Sequence, residues 1–266
     1  MKPFRCLDPN FPDRMASALC ALAVMTKAPH AGRVKTRLIP PLTPEEAAEL
    51  NKCFLRDTAA AISSVCSGGL RPPHAADARP HPDQPLRCQP VAVYMPVGAE
   101  SAYTDILLTD FSLLPQRGDK FGERLYLAVE DLFRCGFESV CLIDSDSPTV
   151  PSENFAEAVE VLSQTEDRVV LGPSDDGGYY LIGLKKPHRH LFEQIDWSTE
   201  RVLNQTIQRA NEIGLEAKLL PTGYDVDDAA SLRRLCNELL GEQADDSVAS
   251  NTRRFLAGLV KQKKLL

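Results

Sequence analysis

The sequence predicts an α/β fold with a mostly parallel central sheet flanked by helices. Three observations carry this expectation. From residue 18 onward, short apolar runs alternate with longer segments of helical period. Most of those runs end in loops rich in aspartate, glycine or basic residues. The chain is 266 residues long, with 43% hydrophobic and 25% charged residues, enough to bury one sizeable core. Parallel strands need crossover connections, usually helices, and this alternation supplies them.

Taken in order, ALCALAVM (residues 18–25) reads as the first buried strand. Its apolar, small-residue character also suits a secretion leader. However, Asp8, Asp13 and Arg14 precede it and TKAP follows, whereas a leader has a basic start and a small-residue cleavage site. Residues 1–17 are accordingly expected to be a disordered N-terminal extension. TPEEAAELNKCFLRDTAAAISSV is the first helix, with Thr43 as cap, Pro44 in the first turn and Glu46 completing a capping box. Residues 67–90 break the rhythm with six prolines and little apolar periodicity, and are expected to be a mobile surface insertion. Within it, His74 and His81 lack any spacing that fixes a metal.

VAVYMPV (91–97) and SLLPQ (112–116) are strands, and GERLYLAVEDLFRCG is a helix with Gly136 at its C-terminal cap. SVCLID is a buried strand, SENFAEAVEVLSQ a helix capped by Ser152, and RVVLG and YYLIGL two further strands. A helix from about 199 to 213, the strand AKLLP and a helix from about 228 to 240 complete an α/β domain over 18–240. Residues 241–266 read as a polar linker and an amphipathic basic helix that closes the domain.

Bulk properties narrow the function classes. A formal net charge of −7 argues against broad electrostatic binding of nucleic acid or of anionic membranes. No apolar run approaches the ~20 residues that span a bilayer. The eight cysteines include no C-x-x-C pair and are read as reduced core residues, which points to a cytoplasmic protein.

Ligands of open α/β sheets bind beyond the carboxyl ends of the strands, so the loops there are the places to look. After the first strand, TKAPHAGRVKTRL brings Lys27, Gly32, Arg33, Lys35 and Arg37 together. Glycine lets backbone N–H groups approach a phosphate and the cations supply charge, although a solvated basic surface has the same composition. A Walker A loop is excluded, because no second glycine precedes Lys35-Thr36. After SVCLID, Asp144 and Asp146 are spaced to face the same way on an extended chain, as ligands for Mg²⁺ or Mn²⁺ or as an Asp-Ser turn before Pro148. GPSDDGG offers Asp175 and Asp176 before two glycines, a ligand approach or a hairpin turn. In TGYDVDD, Asp225 and Asp227 repeat the spacing, and Asp227 is also a candidate cap for the last domain helix. Gathered at one sheet edge, cations and carboxylates favour a metal–diphosphate site.

A D-x-D after an apolar strand also suggests a haloacid-dehalogenase-type phosphatase, with Asp144 as nucleophile and Asp146 as acid/base. Against it, Pro148 stands where that pattern has threonine, and residues 147–174 contain no lysine to balance the carboxylates. A non-catalytic nucleotide-binding protein is a further alternative.

Taken together, KAPHAGRVKTRL, FGERL, LIDSDSPTVP, VVLGPSDDGGYYLIGL, DWSTERVL and YDVDDAASLRRL closely resemble the DUF2064 family. Its members are described as cofactor-synthesis-like candidate glycosyltransferases of GT-A type, some linked to arsenosugar biosynthesis. The basic element is also similar to the phosphate loop of 2-phospholactate guanylyltransferase. The resemblance implies a nucleotide-diphospho-sugar transferase fold, with the nucleotide in the N-terminal half and the acceptor in the C-terminal half. It implies that Lys27, Lys35 and Arg37 contact phosphates and that Asp146 and Asp227 hold the Mg²⁺ or Mn²⁺. Asp176, Gly177 and Gly178 would line the acceptor side, near Trp197, Ser198 and Thr199; if the donor is a nucleotide sugar, Asp176 is a candidate catalytic base. The family usually has glycine where Asp144 stands, and the 67–90 insertion is longer than its pattern. The expected activity is metal-dependent transfer from a nucleotide sugar to a small-molecule acceptor. The alternative is nucleotidyl transfer from a nucleoside triphosphate, and neither reading involves nucleic acid or a membrane partner.

Overall fold

The computed structural model describes residues 4–12, 16, 19–68 and 86–263. Its strands are β1 (Arg5–Cys6), β2 (Cys20–Lys27), β3 (Cys88–Met95), β4 (Ser112–Pro115), β5 (Ser139–Ile143), β6 (Arg168–Pro173), β7 (Tyr179–Leu184) and β8 (Glu216–Leu219). The helices are α1 (Pro44–Cys66), α2 (Phe121–Arg134), α3 (Ser152–Ser163), α4 (Val202–Glu212), α5 (Ala229–Leu240) and α6 (Ser250–Lys263). The strands form one sheet in the order β1-β4-β3-β2-β5-β7-β6-β8. Every pairing is parallel except the two that β7 makes, with β5 and with β6. The expected mostly parallel α/β sheet is therefore the observed one.

Alternation along β2 explains why its sequence is apolar throughout. Cys20, Leu22 and Val24 face a core with Leu55 and Ile62 of α1 and Phe155 and Leu162 of α3. Ala21 and Ala23 face the opposite core, with Leu125, Val129 and Leu132 of α2 and Ala210 of α4. A strand covered on both faces has no polar side, so its two-residue period is hidden in the composition. A third core joins Leu50 and Phe54 of α1 to Leu235 of α5 and Leu256 of α6, so the C-terminal helix packs onto the domain.

Several local expectations hold at the level of atoms. The Thr43 hydroxyl accepts from the Glu46 N–H at 3.2 Å, and the Glu46 carboxylate accepts from the Thr43 N–H at 2.8 Å. Gly136, just past α2, has φ 105°, a conformation that favours glycine.

Others need correction. Residues 1–17 are not a disordered extension throughout. Arg5 and Cys6 pair with Ser112 and Leu113 of β4, Leu7 is buried, and its N–H donates to the Leu113 carbonyl. The open edge of β4 offers unpaired backbone groups, and this short segment satisfies them. Pro151, not Ser152, occupies the position before α3. Asp228, not Asp227, caps α5, accepting from the N–H groups of Ala230 and Ser231 at 2.9 and 2.8 Å. The strand expected at 91–97 runs from 88 to 95, and the helix expected from 199 begins at Val202. Most of the 67–90 insertion, including His74 and His81, lies outside the described residues. All eight cysteines are free thiols, and among the described residues no helix is long and apolar enough to cross a membrane.

Candidate active site

The carboxyl ends of β2, β5 and β6 reach one edge of the sheet, and backbone hydrogen bonds tie the loops there to one another. The segment after β8 returns along this edge. Gly223 N–H donates to the Pro173 carbonyl (2.8 Å), Asp175 N–H to the Gly223 carbonyl (3.1 Å) and Val226 N–H to the Asp146 carbonyl (2.9 Å). This stitching brings Asp225 and Asp227 beside Asp146, some eighty residues earlier in the chain.

Lys35 is the hub of the basic loop. Its backbone is left-handed, with φ 48° and ψ 38°, a conformation that costs a residue bearing a Cβ. That geometry accompanies an inward course: the side chain is 4% exposed and its ammonium has three acceptors. They are the Val226 carbonyl at 2.8 Å, Asp146 Oδ1 at 2.8 Å and Asp227 Oδ1 at 3.0 Å. Three N–H donors thus meet three oxygens. Burial acts to lower the Lys35 pKa, but the charges and hydrogen bonds of Asp146 and Asp227 outweigh it and hold the group above its ordinary value. Arg37 pairs with the other oxygen of Asp227 at 2.5 Å. Because Asp228 caps the helix, Asp227 is left to these cations.

Asp144 sits in a different environment. Ser147 Oγ lies 3.0 Å from Asp144 Oδ2 and 2.8 Å from Asp225 Oδ1. One hydroxyl hydrogen serves one acceptor at a time, so the two carboxyls compete for it. Burial first, then the charges of Asp225 and Asp146, push the Asp144 pKa well above the carboxylate range. Asp225 is pushed up to about 6, chiefly by burial and further by the Asp176 and Asp146 charges, while hydrogen bonds from Ser147 and Ser174 oppose the rise. Asp144 also accepts from the Asp146 N–H at 3.2 Å, so the turn reading and the cluster reading of DSDSP are both realised.

Two cavities adjoin at this edge. The first, about 440 Å³, is lined by Lys27, Arg33, Lys35, Arg37 and Arg124 together with Asp146 and Asp227. The second, about 470 Å³, is lined by Asp144, Asp146, Asp176, Asp225 and Asp227, with Gly178, Trp197, Ser198, Thr199 and Glu200. Arg37, Asp146, Asp227, Met25, Phe121 and Ser145 belong to both. The expected residues therefore gather, with two exceptions. Gly32 has φ 71° but lines neither cavity, and Gly177 serves the turn. Gly177 has φ 87°, and a Cβ there would lie 2.2 Å from the Glu200 carbonyl oxygen. The segment around Asp176 is thus both a β6–β7 hairpin turn and a cavity wall.

The sequence reading did not nominate Arg124, Phe121, Ser147 or Glu200. Arg124 and Phe121 belong to FGERL, whose resemblance to the family was the available signal. Phe121 meets Trp197 edge-on, with ring centroids 5.3 Å apart. Gly122 permits this, since a Cβ there would lie 2.2 Å from Trp197 Nε1.

Among the described residues no group of three or more His, Cys, Asp or Glu side chains is arranged to hold a metal. Asp146 and Asp227 do converge, as their shared lysine shows. Mg²⁺ characteristically takes one or two carboxylates and completes its shell with water and substrate phosphates, so this donor pair fits such an ion. The phosphatase reading fails on the geometry. The buried Lys35 engages Asp146 and not Asp144, the residue that would be the nucleophile.

Fold and site define the class: this is a protein of the nucleotide-diphospho-sugar transferase fold, an architecture of nucleotide-using transferases. Residues 84–199 match the model of DUF2064, described as an uncharacterized protein conserved in bacteria, so the resemblance seen in the motifs holds over that stretch. A similar solved structure is a candidate nucleotide-diphospho-sugar transferase from Desulfovibrio desulfuricans G20, with 26% identity over 92% of this chain and 98% of that one and a TM-score of 0.74. Two others share the fold. CMP:2-keto-3-deoxy-manno-octonic acid synthetase, complexed with CTP, has 10% identity over 85% of this chain and 99% of that one, with a TM-score of 0.50. The 4-diphosphocytidyl-2C-methyl-D-erythritol synthase of Anaerococcus prevotii DSM 20548 has 11% identity over 86% and 99%, with a TM-score of 0.50. Comparison with curated proteins gave no match.

Proposed function

We propose that the protein is a glycosyltransferase that moves a sugar from a nucleotide-diphospho-sugar to a small-molecule acceptor with the help of Mg²⁺ or Mn²⁺. The observation that carries this reading is the pair of adjoining cavities, one cationic and one acidic and aromatic, which meet at Asp146, Asp227 and Arg37. The similar protein from Desulfovibrio, described as a candidate nucleotide-diphospho-sugar transferase, supports it.

In this reading Lys27, Arg33, Arg37 and Arg124 grip the diphosphate in the first cavity. A divalent ion held by Asp146 and Asp227 would supply stabilisation of negative charge on the leaving diphosphate. Lys35 orients both carboxylates. The acceptor hydroxyl, seated in the second cavity, attacks the anomeric carbon as the bond from that carbon to the phosphate oxygen breaks. The nucleoside diphosphate leaves with the electron pair. Two carboxylates are placed to take the hydroxyl proton: Asp176 at the exposed rim and Asp225 deeper in. Asp225, pushed up to about 6, suits a general base at neutral pH.

The test is a thermal-shift panel of nucleoside diphosphate sugars and nucleoside triphosphates, each with and without Mn²⁺. A ligand of the folded state raises the melting temperature by mass action. A metal-dependent shift with a sugar nucleotide, lost in Asp146→Asn, is expected. A shift confined to triphosphates would replace this reading with nucleotidyl transfer, and silence across the panel would remove it.

A further inference from the structure

The two cavities differ in charge more than a donor site and its neighbour need to. In the first, five cations face two aspartates. In the second, Arg37 is the lone Lys or Arg lining the wall among the described residues, and it is already bound to Asp227. Asp176, Asp225 and Glu200 line the second cavity and have no Lys, Arg or His partner among the described residues. The polar contacts of Asp225 are the hydroxyls of Ser147 and Ser174, and Asp176 accepts from the Gly178 N–H at 2.9 Å. These groups lower no net charge. The lining also has an apolar and aromatic part, with Leu125, Ile182 and Trp197, the last held edge-on by Phe121.

We infer that the second cavity takes a hydroxyl-bearing acceptor that is uncharged or positively charged and has an apolar face, and that it rejects phosphorylated and carboxylated compounds. The inference rests on the transferase reading above and names the acceptor class within it. An anion entering this cavity loses water and gains no free side-chain cation, while three carboxylates repel it. A neutral ring stacks on Trp197 with its hydroxyl toward Asp176 and Asp225, and an ammonium group adds attraction to the same carboxylates. The first cavity has the opposite preference, so the anionic donor and the non-anionic acceptor are sorted by charge before either is positioned.

Trp197 is the chain's single tryptophan, so its fluorescence reports on this cavity alone. The experiment titrates the wild-type protein with three compounds of one shape: cyclohexylmethanol, cyclohexylmethylamine and cyclohexanecarboxylate. Tryptophan emission is followed, with caesium, iodide and acrylamide quenching measured alongside. The alcohol and the amine should bind, with the carboxylate about tenfold weaker or more, a gap of about 1.4 kcal/mol. Relative to their action on free tryptophan, caesium should quench more effectively than iodide. Glu200→Gln, a change at an exposed position, should narrow both differences. Equal or tighter binding of the carboxylate, or better quenching by iodide, overturns the inference. Donor binding is read separately by the nucleotide thermal shift. Loss of that shift with charge selectivity intact would remove the transferase reading, whereas a retained shift with no selectivity would remove the acceptor class.

Discussion

Replacing Lys35 with methionine isolates the ammonium from the rest of its side chain. Methionine keeps an unbranched apolar stem at a position whose ammonium lies 5.4 Å from the centre of the Phe54 ring, and it carries the same left-handed backbone cost. What disappears is the cation between Asp146 Oδ1 and Asp227 Oδ1, together with the donor to the Val226 carbonyl. Removing one partner of a buried ion pair costs roughly 3–5 kcal/mol, because the other charge is left uncompensated. Here the aspartate side chains are 36% and 39% exposed and water reaches them, so the lower end applies, about 3 kcal/mol. For a chain of this size that corresponds to a fall of roughly 6–10 °C in melting temperature. The folded-state pKa of Lys35 is raised, so its contribution is complete below about pH 10, the unfolded value, and is lost only as pH rises through the folded one. Urea denaturation at pH 7 therefore reads the whole effect. The double variant with Asp227→Asn should cost less than the sum of the two single changes, since the partners are in contact. Mn²⁺ should stabilise Lys35→Met more than wild type, because two carboxylates are released to it. A loss below about 1 kcal/mol, or additive single changes, would refute the role of Lys35 as the charge that holds the aspartates together.

Three further predictions concern elements that position the site. Asp57 of α1 caps α6 from outside, accepting from the N–H groups of Asn251 (3.0 Å) and Thr252 (2.8 Å). Asp57→Ala strands a donor on the fully buried Thr252 and should cost about 2 kcal/mol in urea denaturation. Asp228→Ala should cost about 1 kcal/mol through the lost α5 cap. Hydrogen bonds from the Ser231 N–H and hydroxyl hold the Asp228 pKa below its ordinary value. Its contribution is therefore present above about pH 4 and lost as pH falls through the folded value, so wild type and variant should converge in acid melts. Gly177→Ala forces a Cβ against the Glu200 carbonyl at φ 87° and should cost at least about 2 kcal/mol while shifting Trp197 emission, since the 197–200 turn must move.

Legibility in the sequence followed the range of the interactions. The α1 capping box could be read because Thr43 and Glu46 lie three residues apart. The cap of α5 was misplaced by one residue because DVDD offers adjacent aspartates, and local chemistry does not choose between them. The tertiary contact does: Lys35 and Arg37 claim Asp227 and leave Asp228 to the helix. The N-terminal strand was missed because two residues carry no periodicity, and its reason to exist is the open edge of β4.

The sequence by itself determined the strand–helix alternation, the loops that bear cations and carboxylates, and the family resemblance, since each is written in composition and short spacing. The tertiary structure alone decided which carboxylate meets which charge. Asp146 and Asp227 share the ammonium of Lys35, while Asp144 is left with Ser147. It also separated the cationic cavity from the acidic one. Charge pairing and burial depend on distances between residues far apart in the chain, and the packed sheet sets those distances.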